Sequence, residues 1–128
     1  MAGMHLVPPE RADRRVIDDH RVCDAIAGIG DQQHTRDWAH RFGLLADPGR
    51  LALLLGIHAV PDICVSDLAV AAGMNDTAVS QALRLLRTAG LVEARKDGRV
   101  MRYRLVDDTA HRLLHQITVG PAGQDSPS

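Results

Sequence analysis

Aromatic side chains are nearly missing from this 128-residue chain: one Trp, one Tyr and one Phe make up 2% of it. The hydrophobic residues still reach 45%, so the core must be built from Leu, Val, Ile and Ala, a composition that favours packed helices over a β-sandwich. Cysteine is equally scarce. Cys23 and Cys64 are too few for a disulfide framework, and in a reducing compartment they read as thiols or metal ligands. No stretch approaches the run of about 18 apolar residues that crosses a bilayer, and Met1 to Arg15 is charged and Pro-containing rather than signal-like. The expectation is a cytoplasmic protein with no membrane partner. A formal net charge of −1 gives no global reason to expect nucleic acid, so any such reading must rest on how charge is distributed. The length suits one domain with extensions and is short for an enzyme carrying its own lids.

What is present is a succession of short amphipathic segments. Met1 to Arg15 reads as a mobile arm, and Val16 to Ile29 as a short helix ended by Gly28 and Gly30. From Thr35, the spacing of Trp38, Phe42 and Leu45 predicts a helix stopped at Asp47-Pro48, which in turn caps and opens another helix through Leu51, Leu54, Leu55 and His58 to Pro61. Cys64 to Ala72 forms a third with Gly73 at its end, and Asn75 caps a fourth that buries Val79, Leu83 and Leu86. Leu91 to Lys96 and Arg99 to Val106 are extended runs joined by Asp97-Gly98, which fits a type I′ hairpin turn. Asp108 then caps a last helix with Ala110, Leu113, Leu114 and Ile117 on one stripe, before Gly120-Pro121 and a Gly/Ser/Pro tail. The expected organisation is an arm with a short helix over 1–33, a folded domain over 34–119 and a disordered tail over 120–128.

Two short helices around Gly73 followed by a β-hairpin make a winged helix-turn-helix, mainly α with a β-hairpin wing, whose second helix enters a major groove. With Val79, Leu83 and Leu86 inward, Thr77, Ser80, Gln81 and Arg84 lie on the opposite side, where they can meet base edges and phosphates. Between Ser80 and Val106, the seven bases Arg84, Arg87, Arg95, Lys96, Arg99, Arg102 and Arg104 outnumber the two acids Glu93 and Asp97, giving a local charge of about +5 inside a nearly neutral chain. A helix pair plus hairpin can be purely structural, and a charge run is often only a solvated face. Here turn, wing and basic stripe coincide.

These residues, namely Leu45-Ala46-Asp47-Pro48-Gly49-Arg50-Leu51, Cys64-Val65-Ser66-Asp67-Leu68-Ala69, Thr77 through Arg87, Ala89-Gly90-Leu91-Val92, Asp97-Gly98-Arg99 and Tyr103-Arg104-Leu105, resemble the ArsR/SmtB family of metal-responsive repressors. The resemblance spans about Trp38 to Ile117. It implies a homodimer formed by the first and last helices, bound to a double-stranded operator with an inverted repeat. The apolar stripe of the last helix, with little chain after it to cover it, points independently to self-association. Two departures bear on operator sequence: Gly49 stands where the family has Thr, Ser or Asn, and Ala82 replaces a polar residue common on the reading helix.

Cys64 and Asp67 project from the first turn of the expected Cys64–Ala72 helix. This is also where a capping box would sit, and Asp67 suits that reading, whereas a thiol is a poor cap. His20 and Cys23 form a second pair one turn apart. Together the four offer two sulfurs, one imidazole and one carboxylate, a tetrahedral set suited to Zn(II), with Cd(II), Co(II) or Ni(II) as alternatives. The resemblance implies that the Cys-x2-Asp pair of one subunit meets the N-terminal arm of the other. The family's last-helix site looks lost, because Thr109 follows Asp107 where a His is needed and Gly120-Pro121 falls where later ligands would stand. Its arsenic site needs a Cys-x-Cys, and Ser66 replaces the second thiol. His111 and His115, spaced i, i+4, could bind a metal or merely flank a dimer helix. His34 is a substitute fourth ligand, while His40 and His58 read as structural.

The expected function is a repressor that holds DNA as the apo dimer and lets go when a metal ion binds, derepressing efflux or resistance genes. A thiol switch using Cys23 and Cys64 is the rival within regulation. A Cys/His enzyme is the rival from another class, and no oxyanion nest, phosphate loop or third orienting group accompanies either cysteine.

Overall fold

The computed structural model describes residues 17–119, so the expected arm, the first residue of the first expected helix and the expected tail lie outside the described residues. The chain divides into two compact units, one running up to His40 and the other from Arg41. In the first, α1 (Asp19–Ile29) starts where the Asp18 carboxylate accepts the Arg21 amide at 3.1 Å, and it runs through Gly28 to end at Gly30. None of its residues is buried. α2 (Gln32–Leu45) begins three residues before the expected Thr35, because Asp31 already satisfies its first turn: its carboxylate takes the Gln33 amide and its carbonyl the Thr35 hydroxyl.

The second unit receives the end of α2 and contains α3 (Pro48–Ala59), β1 (Ile63–Cys64), α4 (Val65–Ala72), α5 (Asp76–Thr88), β2 (Val92–Asp97), β3 (Val100–Leu105) and α6 (Asp108–Val119). Asp47 caps α3 through the Arg50 amide at 3.0 Å, with Pro48 in the first turn where a missing N–H costs nothing. The Arg50 guanidinium turns back to the carbonyls of Leu44 and Gly43, so one residue fastens both sides of the Asp47-Pro48 corner. Gly73 closes α4 in the left-handed conformation at φ 66°, and Asn75 caps α5 by accepting the Ala78 amide at 2.8 Å. Leu53, Leu54, Ile57, Leu68, Leu83, Leu86 and Leu114 are all but sealed from solvent in one core. Each such side chain contributes about 1.5–3 kcal/mol on burial. α3 and α4 approach closely at Gly56, where an added Cβ would come within 2.8 Å of Leu68.

Three features depart from the sequence reading. The wing is a three-stranded antiparallel sheet in the order β1-β3-β2, not a lone hairpin, because Ile63 and Cys64 pair with Tyr103 and Arg102. Its turn is Gly98-Arg99: Asp97 pairs with Val100 and only Gly98 has positive φ, which is the type II′ pattern of one glycine at the first central position. The last helix is capped by Asp107 and not Asp108, since the Asp107 carboxylate accepts the Ala110 amide at 2.8 Å.

Candidate nucleic-acid interface and metal-sensing residues

The reading helix α5 divides as its periodicity requires. Val79, Ala82, Leu83 and Leu86 are buried, and Thr77, Ser80, Gln81, Arg84 and Arg87 are exposed on the other side. Ala82 is 7% exposed and belongs to the core, so it removes no polar group from the outer face; the expectation that it bears on operator sequence is corrected by its burial. Gly49 has a different physical constraint. A Cβ there would lie 3.2 Å from the capping carboxylate of Asp47 and 3.4 Å from Met74.

The charge on the wing is sorted by pairing. Arg102 donates to Asp97 at 2.7 Å and to the Asp62 carbonyl at 3.1 Å, and Arg104 pairs with Glu93 at 2.6 Å. The hydrogen bond from Arg102 holds the Asp97 carboxyl below its usual range, and the same bond keeps the guanidinium more firmly charged. Both acids of the basic stretch are therefore occupied. Among the described residues, Arg84, Arg87, Lys96 and Arg99 have no acidic partner, and Arg95 approaches Asp62 only at 3.9 Å. Arg84 and Arg87 line an open cleft of about 540 Å³ with Val65, Ser80, Thr88 and Tyr103, placing two cations and three hydroxyls in one concavity between the reading helix and the sheet. Such a surface suits a phosphate backbone, with Arg102 serving to brace the wing.

Cys64 occupies the N-cap position of α4 but makes no cap hydrogen bond; its Sγ, in a residue 9% exposed, lies 3.5 Å from the Ser66 hydroxyl. The capping-box alternative therefore does not form. Asp67 is exposed one turn along the helix, leaving a sulfur and a carboxylate at the same helix start. Sequence reasoning missed that Cys64 is also a strand residue opposite Arg102, whose pKa is raised chiefly by the Asp97 hydrogen bond and to a lesser degree by Cys64. A two-residue strand carries too little alternation to be visible in sequence. His20 and Cys23 lie one turn apart on α1, with Cys23 half-buried, and belong to the other compact unit. The donor chemistry of the two pairs fits a thiophilic divalent ion. Among the described residues, no group of three or more His, Cys, Asp and Glu is placed so as to hold a metal ion.

Asp107 is committed to the α6 cap and to a 3.0 Å ion pair with Arg41. His34 packs edge-on against Trp38 with ring centroids 6.4 Å apart. His58, which reads as structural in sequence, has two ring neighbours: its centroid lies 5.0 Å from that of His111 and 5.9 Å from that of His115. Burial, then the two neighbouring imidazoles, hold His58 below its ordinary pKa. The link joins residues more than fifty positions apart, out of reach of any local spacing rule.

Residues 47–94 match the model of the bacterial regulatory protein, arsR family. The transcriptional repressor SmtB homolog of Synechocystis sp. is 40% identical over 105 residues, covering 82% of this chain and 79% of that protein. The HTH-type transcriptional regulator NmtR of Mycobacterium tuberculosis is 40% identical over 86 residues, or 67% of this chain and 71% of that one. Among solved structures, the homodimeric winged helix-turn-helix DNA-binding domain of a Mycobacterium bovis protein superposes with a TM-score of 0.59 at 33% identity, covering 73% of this chain and 88% of that one.

Proposed function

This chain belongs to the arsR family of bacterial regulatory proteins, and from that premise we propose that it is a cytoplasmic, homodimeric repressor that releases its operator on binding a transition-metal ion. The observation that carries the DNA half of this reading is the two-faced α5. Thr77, Ser80, Gln81 and Arg84 form an exposed face backed by a rigid apolar stripe, flanked by Arg87 and by the unpaired wing cations Lys96 and Arg99. Thr77, Ser80, Gln81 and Arg84 read base edges, while Arg87, Arg95, Lys96 and Arg99 hold phosphates and set the register. The exposed apolar residues Leu113 and Ile117 of α6 supply a self-complementary surface for the second copy; the Mycobacterium bovis relative is homodimeric.

Cys64 and Asp67 of one subunit, joined by His20 and Cys23 from the other subunit of the dimer, are the proposed ligands, and Zn(II) is the ion that two thiolates, an imidazole and a carboxylate suit best. The coupling route follows from the sheet. Cys64 is paired with Arg102, and Arg102 holds Asp97 at the base of the wing turn, so a pull on the sulfur is delivered to the wing through one strand pair. Coupling of this kind is typically worth about 1–3 kcal/mol, or 5- to 150-fold in affinity. Cys64→Ser keeps operator binding within about twofold of wild type and loses Zn(II)-induced release, as read by fluorescence anisotropy of a labelled duplex. Release undiminished in that variant refutes the ligand assignment; release by peroxide but not by zinc, with Asp67→Ala silent, replaces it with a thiol switch.

A further inference from the structure

The end of α3 and one face of α6 bring three imidazoles together at a place that the Cys64 and Asp67 pair does not reach. His58 stands between His111 and His115, with centroid separations of 5.0 and 5.9 Å and ring planes tilted by 49° and 54°. The i, i+4 spacing of the other two sets their Cβ atoms about 5–6 Å apart on the same side of the helix. Two imidazoles bound to one tetrahedral zinc through nitrogens at about 2.1 Å have centroids about 5 Å apart; His58 stands at that separation from His111 and 0.9 Å beyond it from His115. As they stand, no three His, Cys, Asp or Glu side chains among the described residues are placed to hold an ion, so binding requires rings of the trio to turn. The rings of His111 and His115 sit on exposed residues, and the terminal torsion of a histidine is broad, so turning them inward costs little.

We propose that His58, His111 and His115 form a second divalent transition-metal site, taking Zn(II), Co(II) or Ni(II) through three imidazoles with water completing the shell. The class of ion follows from an all-nitrogen set, which suits borderline metals and offers nothing to hard cations such as Mg(II) or Ca(II). The site lies within one subunit. On a helix turning about 100° per residue, His111 and His115 lie on the flank of the buried Ala110 and Leu114 stripe opposite to the exposed Leu113 and Ile117. An ion there ties α6 to α3, two elements that already pack in the core, and leaves the apolar outer face of α6 available to a second copy. It stands independently of the thiolate site and of the repressor reading.

The test uses the full-length untagged chain carrying Cys23→Ser and Cys64→Ser, so that no thiolate contributes and failure of the Cys64 assignment has no bearing on the result. Zn(II) is titrated against a chromogenic chelator, with Co(II) absorption as the second probe. The proposal requires one ion per protomer, a Co(II) spectrum without sulfur charge transfer, and at least tenfold weaker binding on adding either His58→Gln or the exposed His115→Gln. His40→Gln is the control and leaves binding unchanged. Zinc binding that survives both substitutions undiminished, or no stoichiometric binding in the thiol-free protein, overturns it. His115→Gln lies at the surface and retains the native circular dichroism, so the result does not depend on whether the half-buried His58 tolerates replacement.

Discussion

Single side chains decide how the basic surface is spent. Arg102 looks in sequence like another phosphate contact, yet its guanidinium is engaged by Asp97 and by the Asp62 carbonyl, while Arg84 points into the cleft beside Ser80. Arg84→Ala should weaken operator binding by about 1–3 kcal/mol and relax discrimination at one base position, measured by binding to a panel of mutated duplexes. The Asp97–Arg102 bond also has a pH signature. Because the folded carboxyl titrates below its unfolded value, its contribution is complete above the ordinary Asp range and disappears as pH falls through the lowered folded value. Following the Asp97 carboxyl by NMR should show that depressed midpoint, and Arg102→Gln should return it to the usual range. An unchanged midpoint in that variant removes Arg102 as the cause. Residue identity was legible in sequence where a side chain acts locally, as Asp47 and Asn75 do in capping the helices that follow them. It was illegible where partners come from afar: His58 finds two histidines on α6, and Cys64 finds Arg102 across a strand pair.

The elements followed from periodicity wherever an apolar stripe met a capping residue. The α4–turn–α5 pair needs Gly73 in the left-handed region, at φ 66°, so that the chain can reverse between them. Gly73→Ala should cost about 1 kcal/mol, seen as a lowered midpoint of urea unfolding, and should weaken DNA binding only in proportion to the unfolded fraction. Overpacking is the sharper test of the helix contact behind the reading helix. Gly56→Val, which drives methyl groups toward the buried Leu68, should destabilise the fold by about 1–3 kcal/mol. Full stability in Gly56→Val would mean that α3 and α4 can separate, and the close approach would carry no weight. The turn of the wing was misread by one residue, because Asp97-Gly98 and Gly98-Arg99 are both good hairpin dipeptides and only the strand pairing chooses between them. The strand β1 was hidden for the same reason, as two residues gain strand character only from the neighbour they pair with.

For the whole molecule, the expected apolar stripe of α6 splits in two. Ala110 and Leu114 enter the core, whereas Leu113 and Ile117 stay exposed at 36% and 54%. That division is what a helix shared between a core and a second copy requires, and Leu113→Asp with Ile117→Asp should shift the protein to monomers in sedimentation velocity while the core remains folded. Charge follows the same logic at large scale: in a chain with a net charge of −1, Arg84, Arg87, Lys96 and Arg99, which have no acidic partner among the described residues, lie together on α5 and the wing. The central claim is that metal occupancy and operator occupancy oppose one another, and it is tested most directly by measuring the affinity of the purified dimer for a duplex selected by the apo protein, first stripped with a chelator and then loaded with Zn(II). The account predicts tight binding when stripped and a loss of about 5- to 150-fold when loaded, restored by renewed chelation. Equal affinity in both states would contradict it.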